Sequence, residues 1–150
     1  LFREIERTGE ERLLRTVWQG KQQFSWFRSL GEIGDEGEFR VLVVTRRVGA
    51  GEESDRLLEY EMPVVKSGVI GLGELCVLTK RELEVLALIG RGLTAKEIAA
   101  LMHRSVKTVE NHRISLGAKL HKSNKVELAL IARDAGLTVD DAMRLRMCKK

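Results

Sequence analysis

The stretch "TKRELEVLALIGRGLTAKEIAALMHRSVKTVENHRISLGAKL", residues 79–120, contains three helix starts with clear stops between them. Thr79 precedes Glu82 by three residues, and Thr94 precedes Glu97 by the same interval. This is the spacing of a capping box, in which a hydroxyl and a carboxylate satisfy free backbone amides of the first helical turn. Ser105 opens the third segment, and glycines at positions 90 and 92 end the first. The stretch therefore predicts three consecutive helices joined by short turns.

The second and third of these helices have the arrangement of a helix-turn-helix, in which the longer, second helix reads the major groove of DNA. Successive residues on a helix are about 100° apart, which places Val109 and Leu116 on an inward stripe of the third helix. The opposite side, flanked by Glu110 and Ser115, is small and mixed rather than uniformly charged, and it includes the apolar Ile114. Amide, carboxylate, ammonium and methyl groups can each contact a particular base edge. The predicted base-reading residues are Lys107, Glu110, Asn111 and Ile114.

Charge is distributed unequally along the chain, whose net charge is +4. Residues 1–77 carry 11 basic and 14 acidic side chains, a net charge of −3, whereas residues 78–150 carry 15 and 8, a net charge of +7. All seven aromatic residues precede position 61, so the basic half has no ring on which an unpaired base could stack. Double-stranded DNA, bound through its phosphates, is therefore the favoured partner. The predicted phosphate contacts are Lys96, Arg104, Arg113, Lys119, Lys122 and Lys125, together with Thr94.

The motifs "LTKRELEVL", "GLTAKEIA" and "SVKTVENHR…KL", within residues 78–137, closely resemble the LuxR-type helix-turn-helix shared by LuxR, FixJ and GerE-like regulators. The resemblance implies a four-helix domain whose third helix enters the major groove and whose last helix often mediates dimerisation. It also implies roles for individual residues. Glu110, Asn111 and Ile114 match base-facing positions, and Lys107, Thr108 and Lys125 match positions that contact the DNA backbone.

The helix expected over residues 124–135 is apolar more than halfway round, so one side can pack on the bundle while the other remains for self-association. A homodimer would present two recognition helices to DNA half-sites about one helical turn apart. The alternative is a fully buried helix in a slightly larger domain. The predicted dimerisation residues are Val126, Ala129, Leu130 and Arg133.

The segment "QQFSWFRSLGEIGDEGEFRVLVVTRRV", residues 22–48, is similar to the closing strands of a PAS sensor domain. It is rich in β-branched and aromatic residues, and "GDEG" suits a hairpin turn. A generic β-hairpin is the alternative. A whole PAS domain is longer, so no cofactor-binding residue can be carried over, and no cofactor is predicted.

These patterns predict an α+β chain with four parts. Residues 1–48 form a PAS-like fragment with an N-terminal helix and antiparallel strands, and residues 49–75 form a linker with glycines and the only proline. Residues 76–137 form the helix-turn-helix domain. Residues 138–150, which include "TVDDAMRLRM", form a C-terminal helical extension that begins with another capping pair.

Other classes of protein fit the sequence poorly. No apolar run approaches the roughly 18 residues of a membrane span, so no membrane partner is expected. His103, His112 and His121 are nine residues apart, which turns the latter two to opposite sides of a helix, and no catalytic or metal-binding grouping is evident. The chain is therefore predicted not to be an enzyme. Residues 1–77 are also too short for a receiver domain.

Cys76 and Cys148 lie far apart without a disulfide framework around them, so they are predicted to be free thiols in a reducing cytoplasm. The prediction for the whole chain is a sequence-specific duplex DNA-binding transcriptional regulator under the control of a sensor region. The alternative is a sigma-factor-like promoter module that acts with RNA polymerase.

Overall fold

The computed structural model describes residues 2–33, 38–49, 56 and 62–148. A twisted sheet built by the first half of the chain precedes a group of helices built by the second half. One apolar cluster joins the two, because Val17 of the sheet packs among buried residues of the helices. The predicted α+β class is confirmed.

The first half forms a four-stranded sheet preceded by a short helix. The elements are α1 (Phe2–Thr8), β1 (Arg12–Trp18), β2 (Lys21–Ile33), β3 (Glu38–Arg47) and β4 (Val64–Lys66). The strand order is β3-β2-β1-β4, with β2 antiparallel to both of its neighbours and β4 parallel to β1. The predicted helix and antiparallel strands are therefore confirmed, whereas the "GDEG" turn lies outside the described residues.

Alternation along β1 determines which of its side chains are buried. Leu13, Arg15 and Val17 point to one side and are buried, while the residues between them are half-buried. Leu13 also packs against Phe24 of β2 and Val48 in a small second core. An arginine thus shares the buried face of the strand with two aliphatic residues.

Residues 62–75 of the predicted linker are part of the folded body, whereas residues 50–55 and 57–61 lie outside the described residues. β4 extends the sheet, and two further elements precede the helices. Local sequence suggested a linker because the strands are only three residues long and their partners lie far away in the chain. The further elements are β5 (Val69–Gly71) and a 3-10 helix (Gly73–Val77).

The basic half forms the predicted helices, each beginning after a capping residue. Thr79, Thr94 and Asn124 each complete a capping box with a glutamate three residues later, and Ser105 caps its helix through its side chain. Residues 82–89 of the first helix are all buried, so this helix forms the centre of the group. The helices are α2 (Lys80–Gly90), α3 (Ala95–Leu101), α4 (Val106–Leu120) and α5 (Lys125–Asp134).

The predicted C-terminal helix is wrong. Thr138 and Asp141 do form a capping box, but the turn that they open is a 3-10 helix, Val139–Met143. The chain then extends as β6 (Leu145–Met147), which pairs in parallel with β5. The cap was identified correctly because it is local, whereas the strand depends on a partner more than seventy residues earlier in the chain.

The prediction of free thiols is also wrong. Cys76, in the 3-10 helix before α2, and Cys148, directly after β6, form a disulfide with an S–S distance of 2.12 Å. Pairing of β5 with β6 brings these two positions together, with a Cα–Cα distance of 5.8 Å. The spacing of two cysteines in a sequence cannot indicate such a contact.

Candidate nucleic-acid interface

The outer face of α4 is exposed opposite a buried stripe. Val109 and Leu116 are 2% and 0% exposed and hold the helix against the bundle. On the other side Lys107 and Asn111 are exposed, and Ile114 is 60% exposed. A solvent-facing isoleucine gains nothing from burial in this chain, which makes it a candidate for contact with a partner.

Glu110 lies at the edge of this face rather than on it. Its Oε2 accepts a hydrogen bond of 2.7 Å from Nε of Arg113, one turn further along, and both side chains are half-buried. The expected base reader and the expected phosphate contact are thus paired with each other. Glu110 could accept a hydrogen bond from a base only if its carboxylate also kept, or released, the hydrogen bond from Arg113.

Ser115 and Lys119 are drawn toward the bundle by Glu82 of α2. Ser115 Oγ donates to Glu82 Oε1 at 2.6 Å, and Lys119 Nζ donates to Glu82 Oε2 at 2.7 Å. Ser115 is partly exposed, and its hydrogen-bond partner on α2 was not anticipated from the sequence. Lys119, expected at a phosphate, has an ion-pair partner on α2.

Glu82 is ionised despite being buried. Desolvation by burial would raise the pKa of its carboxyl group, but hydrogen bonds from Lys119, Ser115 and Thr79 outweigh burial and lower the pKa to about 2. The same carboxylate completes the capping box of α2, accepting from the backbone N of Thr79 at 2.7 Å. One side chain therefore caps the central helix and holds the C-terminal half of α4. Sequence reasoning recognised only the cap.

Gly117 allows the chain to fold back at the end of α4. The backbone N of Lys122 donates to Gly117 O at 2.9 Å, and His121 ends the helix in a left-handed conformation, with φ of 54°. A Cβ on residue 117 would lie 2.6 Å from the carbonyl oxygen of Lys122. The glycine is therefore required where the chain folds back after α4. The same turn brings Nζ of Lys122 to 3.8 Å from Oε1 of Glu127.

The remaining expected phosphate contacts lie on α3, α4 and α5 or directly before these helices. Thr94 and Thr108 are engaged locally, since Thr94 Oγ1 donates to Glu97 Oε2 at 2.6 Å and Thr108 Oγ1 lies 2.8 Å from Ser105 Oγ. Both threonines stand at helix N-termini, where free backbone amides attract anions. The exposed cations of this group are Lys96, Arg104 and Lys125.

The exposed side of α5 matches the expected self-association face. Val126 and Leu130 are 67% and 56% exposed, Ala129 is half-buried, and Arg133 is exposed. Leu128 and Ala132, on the inner side, are almost fully buried. The helix is therefore apolar on two sides, only one of which is covered by the bundle.

A buried ion pair, not anticipated from the sequence, joins the sheet to the end of the helical half. Arg15 of β1 donates through Nη1 and Nη2 to the two carboxylate oxygens of Asp141, at 3.2 and 3.0 Å, and through Nε to Gln22 at 3.0 Å. Burial raises the pKa of Asp141, but Arg15 and hydrogen bonds from Thr138 outweigh burial and hold that pKa below its usual value. The alternation of Leu13, Arg15 and Val17 was the available signal for a buried arginine.

Neither a metal centre nor a membrane span is found in the part of the chain that the structure describes. None of its helices is long and apolar enough to cross a membrane. Over the same residues, histidine, cysteine, aspartate and glutamate side chains form no group of three or more that could hold a metal ion.

Comparison with known proteins finds a similarity within the helical half of the chain. The family model described as bacterial regulatory proteins, luxR family, matches residues 76–132. The oxygen regulatory protein NreC of Staphylococcus carnosus (strain TM300) is 50% identical over 52 residues, which are 35% of this chain and 24% of NreC. NreC of Staphylococcus aureus (strain JH9) gives the same identity and coverage. The chain thus spans about a quarter of the length of these relatives.

Among solved structures, the VqmA dimer of Vibrio cholerae aligns with 95% of this chain and 64% of its own, with 20% identity and a TM-score of 0.42. The family match covers the segment that carries α2, α3, α4 and most of α5. Residues 76–132 are therefore similar to the luxR family of bacterial regulatory proteins.

Proposed function

We propose that this chain is a sequence-specific duplex DNA-binding transcriptional regulator of the cytoplasm, with α4 as the helix that enters the major groove. The observation that carries this proposal is the outer face of α4. Lys107, Asn111 and Ile114 are exposed there. Among the described residues, no hydrogen bond or ion pair engages Lys107 or Asn111, so their polar groups are free to contact base edges.

The surrounding charge supports binding to a duplex. Lys96, Arg104 and Lys125 are exposed cations of the helical half, which carries the positive net charge of the chain. Such cations bind phosphates, release counterions and position a recognition helix without reading sequence. Arg113, Lys119 and Lys122 join this set in the proposal, although each now has an acidic neighbour that phosphate must compete with.

Dimerisation through α5 completes the proposed mode of binding. The exposed Val126 and Leu130, with Ala129 and Arg133 beside them, form one apolar surface on a helix whose other side is buried. A two-fold dimer would pair this surface with itself and present two copies of α4 to successive major grooves. The sheet of residues 12–47 is proposed to be part of a PAS-like sensor that controls this output.

The experiment that tests the proposal is selection of duplexes from a random pool by the purified chain, at fixed salt and without RNA polymerase. Enrichment of a defined motif, with two-fold symmetry if the dimer forms, is the expected result. A promoter module that depends on polymerase would enrich no motif by itself but would do so with polymerase present. Absence of an enriched motif both with and without polymerase contradicts the proposed function.

A further inference from the structure

The disulfide between Cys76 and Cys148 encloses the whole helical domain. The two residues are 72 positions apart, and α2, α3, α4 and α5 all lie between them. Cys76 lies in the 3-10 helix that leads into α2, and Cys148 follows β6 directly. Because β6 ends beside the entrance of the domain, the disulfide fixes the C-terminal strand against the segment that joins the sheet to the helices.

Apart from the disulfide and the pairing with three residues of β5, β6 is held by few contacts. It is three residues long, and Leu145 and Met147 are 70% and 48% exposed. Leu145 N donates to Gly68 O at 3.1 Å, and Arg146 Nη1 donates to Leu78 O at 2.7 Å. Nε and Nη2 of Arg146 are buried without a hydrogen-bond partner among the described residues, which opposes docking of the strand. The position of β6 therefore depends strongly on the covalent link.

The strand is connected to the contact between sheet and helices. Nη1 of Arg144, just before β6, lies 2.9 Å from Oδ1 of Asp141. The same carboxylate forms the buried ion pair with Arg15 of β1. Release of β6 from β5 frees the segment that carries Asp141 and Arg144, on one side of the ion pair with Arg15. The disulfide thus acts on the point where the sheet is fastened to the DNA-binding half.

We propose that Cys76 and Cys148 are a reversible redox-modification site whose reduction releases β6 from β5. The argument rests on the proposed function, because a protein that binds DNA works in a compartment where thiols are kept reduced, and disulfides there are usually transient or redox-sensing. Cys148 is exposed and Cys76 half-buried, so an external thiolate can reach the bond.

The chemistry is thiol–disulfide exchange with a cellular dithiol. A thiolate of the dithiol attacks the sulfur of Cys148, forms a mixed disulfide and displaces the Cys76 thiolate, which takes up a proton. The second thiol of the reductant then displaces Cys148. The protein gains two electrons and two protons as two thiols, and the dithiol becomes a disulfide. The reverse exchange with a small disulfide such as oxidised glutathione closes the bond again.

The test compares the full chain, oxidised and reduced, by hydrogen exchange at single amides. Reduction by dithiothreitol, and by reduced glutathione at its cytosolic concentration, is followed by alkylation of free thiols. The Leu145 amide is expected to exchange at least about tenfold faster after reduction, while amides of α2 keep their protection. A Cys76→Ser/Cys148→Ser variant should match the reduced chain in both buffers.

Three results would overturn the proposal. The first is a disulfide that reduced glutathione leaves intact, and the second is an unchanged exchange rate of the Leu145 amide after reduction. The third is an equal acceleration of exchange in α2, which would indicate a permanent structural disulfide that stabilises the whole domain. Duplex binding measured on the same samples separates this outcome from the proposed function. Absence of binding in both redox states contradicts DNA recognition and leaves the exchange result unaffected.

Discussion

Glu82 Oε2 lies 2.7 Å from Nζ of Lys119, which ties the first turn of α2 to the C-terminal part of α4. Glu82 is 4% exposed, so the pair is largely removed from solvent on the acidic side. The proposed recognition helix, α4, is consequently held from behind by the most buried helix of the domain. Its outer face can meet a partner without being needed for the fold.

Substitution Glu82→Gln keeps the shape of the side chain but removes its charge. The unfolding free energy should fall by about 1–3 kcal/mol, because hydrogen bonds to a buried charged group are lost or weakened. Urea unfolding measures this loss, and Glu74→Gln, at an exposed position of the 3-10 helix, is the control. DNA affinity should fall equally on all duplexes. A loss confined to one base position would contradict a purely supporting role.

Acid should remove the contribution of Glu82. Its pKa is lowered from 4.5 to about 2 in the folded chain, so its stabilisation is fully present above pH 4.5 and is lost as the pH falls toward 2. The contribution is at most about 3 kcal/mol. The difference in unfolding free energy between wild type and Glu82→Gln should therefore shrink over this interval. A difference independent of pH would contradict the assignment of an ionised Glu82.

The substitutions Asn111→Ala and Lys125→Ala should have different effects on DNA binding. Loss of a base contact at Asn111 should weaken binding mainly at one base pair, by about 1–3 kcal/mol. Loss of a phosphate contact at Lys125 should weaken binding to every sequence. It should also reduce by about one the slope of the logarithm of the binding constant against the logarithm of the salt concentration. Binding isotherms at several salt concentrations measure both, with Lys66→Ala on the sheet as the charge control. Equal losses on specific and random duplexes for both variants would exclude Asn111 as a reader.

Leu130→Asp should prevent dimerisation while leaving the monomer folded. The side chain is 56% exposed, so the charge is tolerated in the monomer but would be buried in the proposed interface. Sedimentation, with and without duplex DNA, measures the oligomeric state. Leu42→Asp, at an exposed position of β3, is the matched control. Persistence of the dimer in the Leu130 variant would place the interface elsewhere.

Breaking the buried pair of Arg15 and Asp141 should destabilise the contact between sheet and helices. Arg15→Met leaves a fully buried carboxylate without its bidentate partner, and the expected loss is about 3 kcal/mol. The double variant Arg15→Met/Asp141→Leu should recover part of it, because the buried carboxylate is removed, whereas Arg144 also loses its partner at Asp141. A double-mutant cycle from urea unfolding checks this, and strictly additive losses would contradict the coupling.

The helix starts could be predicted from sequence because capping is local. Thr79 with Glu82, and Thr94 with Glu97, satisfy backbone amides within a single turn, whatever the rest of the chain does. Burial of Val109 and exposure of Ile114 followed from helical periodicity alone. These features define the domain and the proposed reading face.

Contacts between distant segments could not be predicted in this way. Arg15 and Asp141 are 126 residues apart, and Cys76 and Cys148 are 72 apart, so neither pair leaves a local signature. The partner of Ser115 was not predicted for the same reason, since Glu82 lies on another helix. The C-terminal helix failed because pairing of β6 with β5 outweighs a correct local cap.

The ratio of affinities for a selected duplex and for a shuffled duplex of the same composition, at one salt concentration, tests the central claim most directly. A chain that reads bases through the outer face of α4 should prefer the selected duplex by about 10³-fold or more. The preference should fall sharply in a variant with both Asn111→Ala and Ile114→Ala. A ratio near one for the wild-type chain, or a ratio unchanged by the double substitution, would contradict the account.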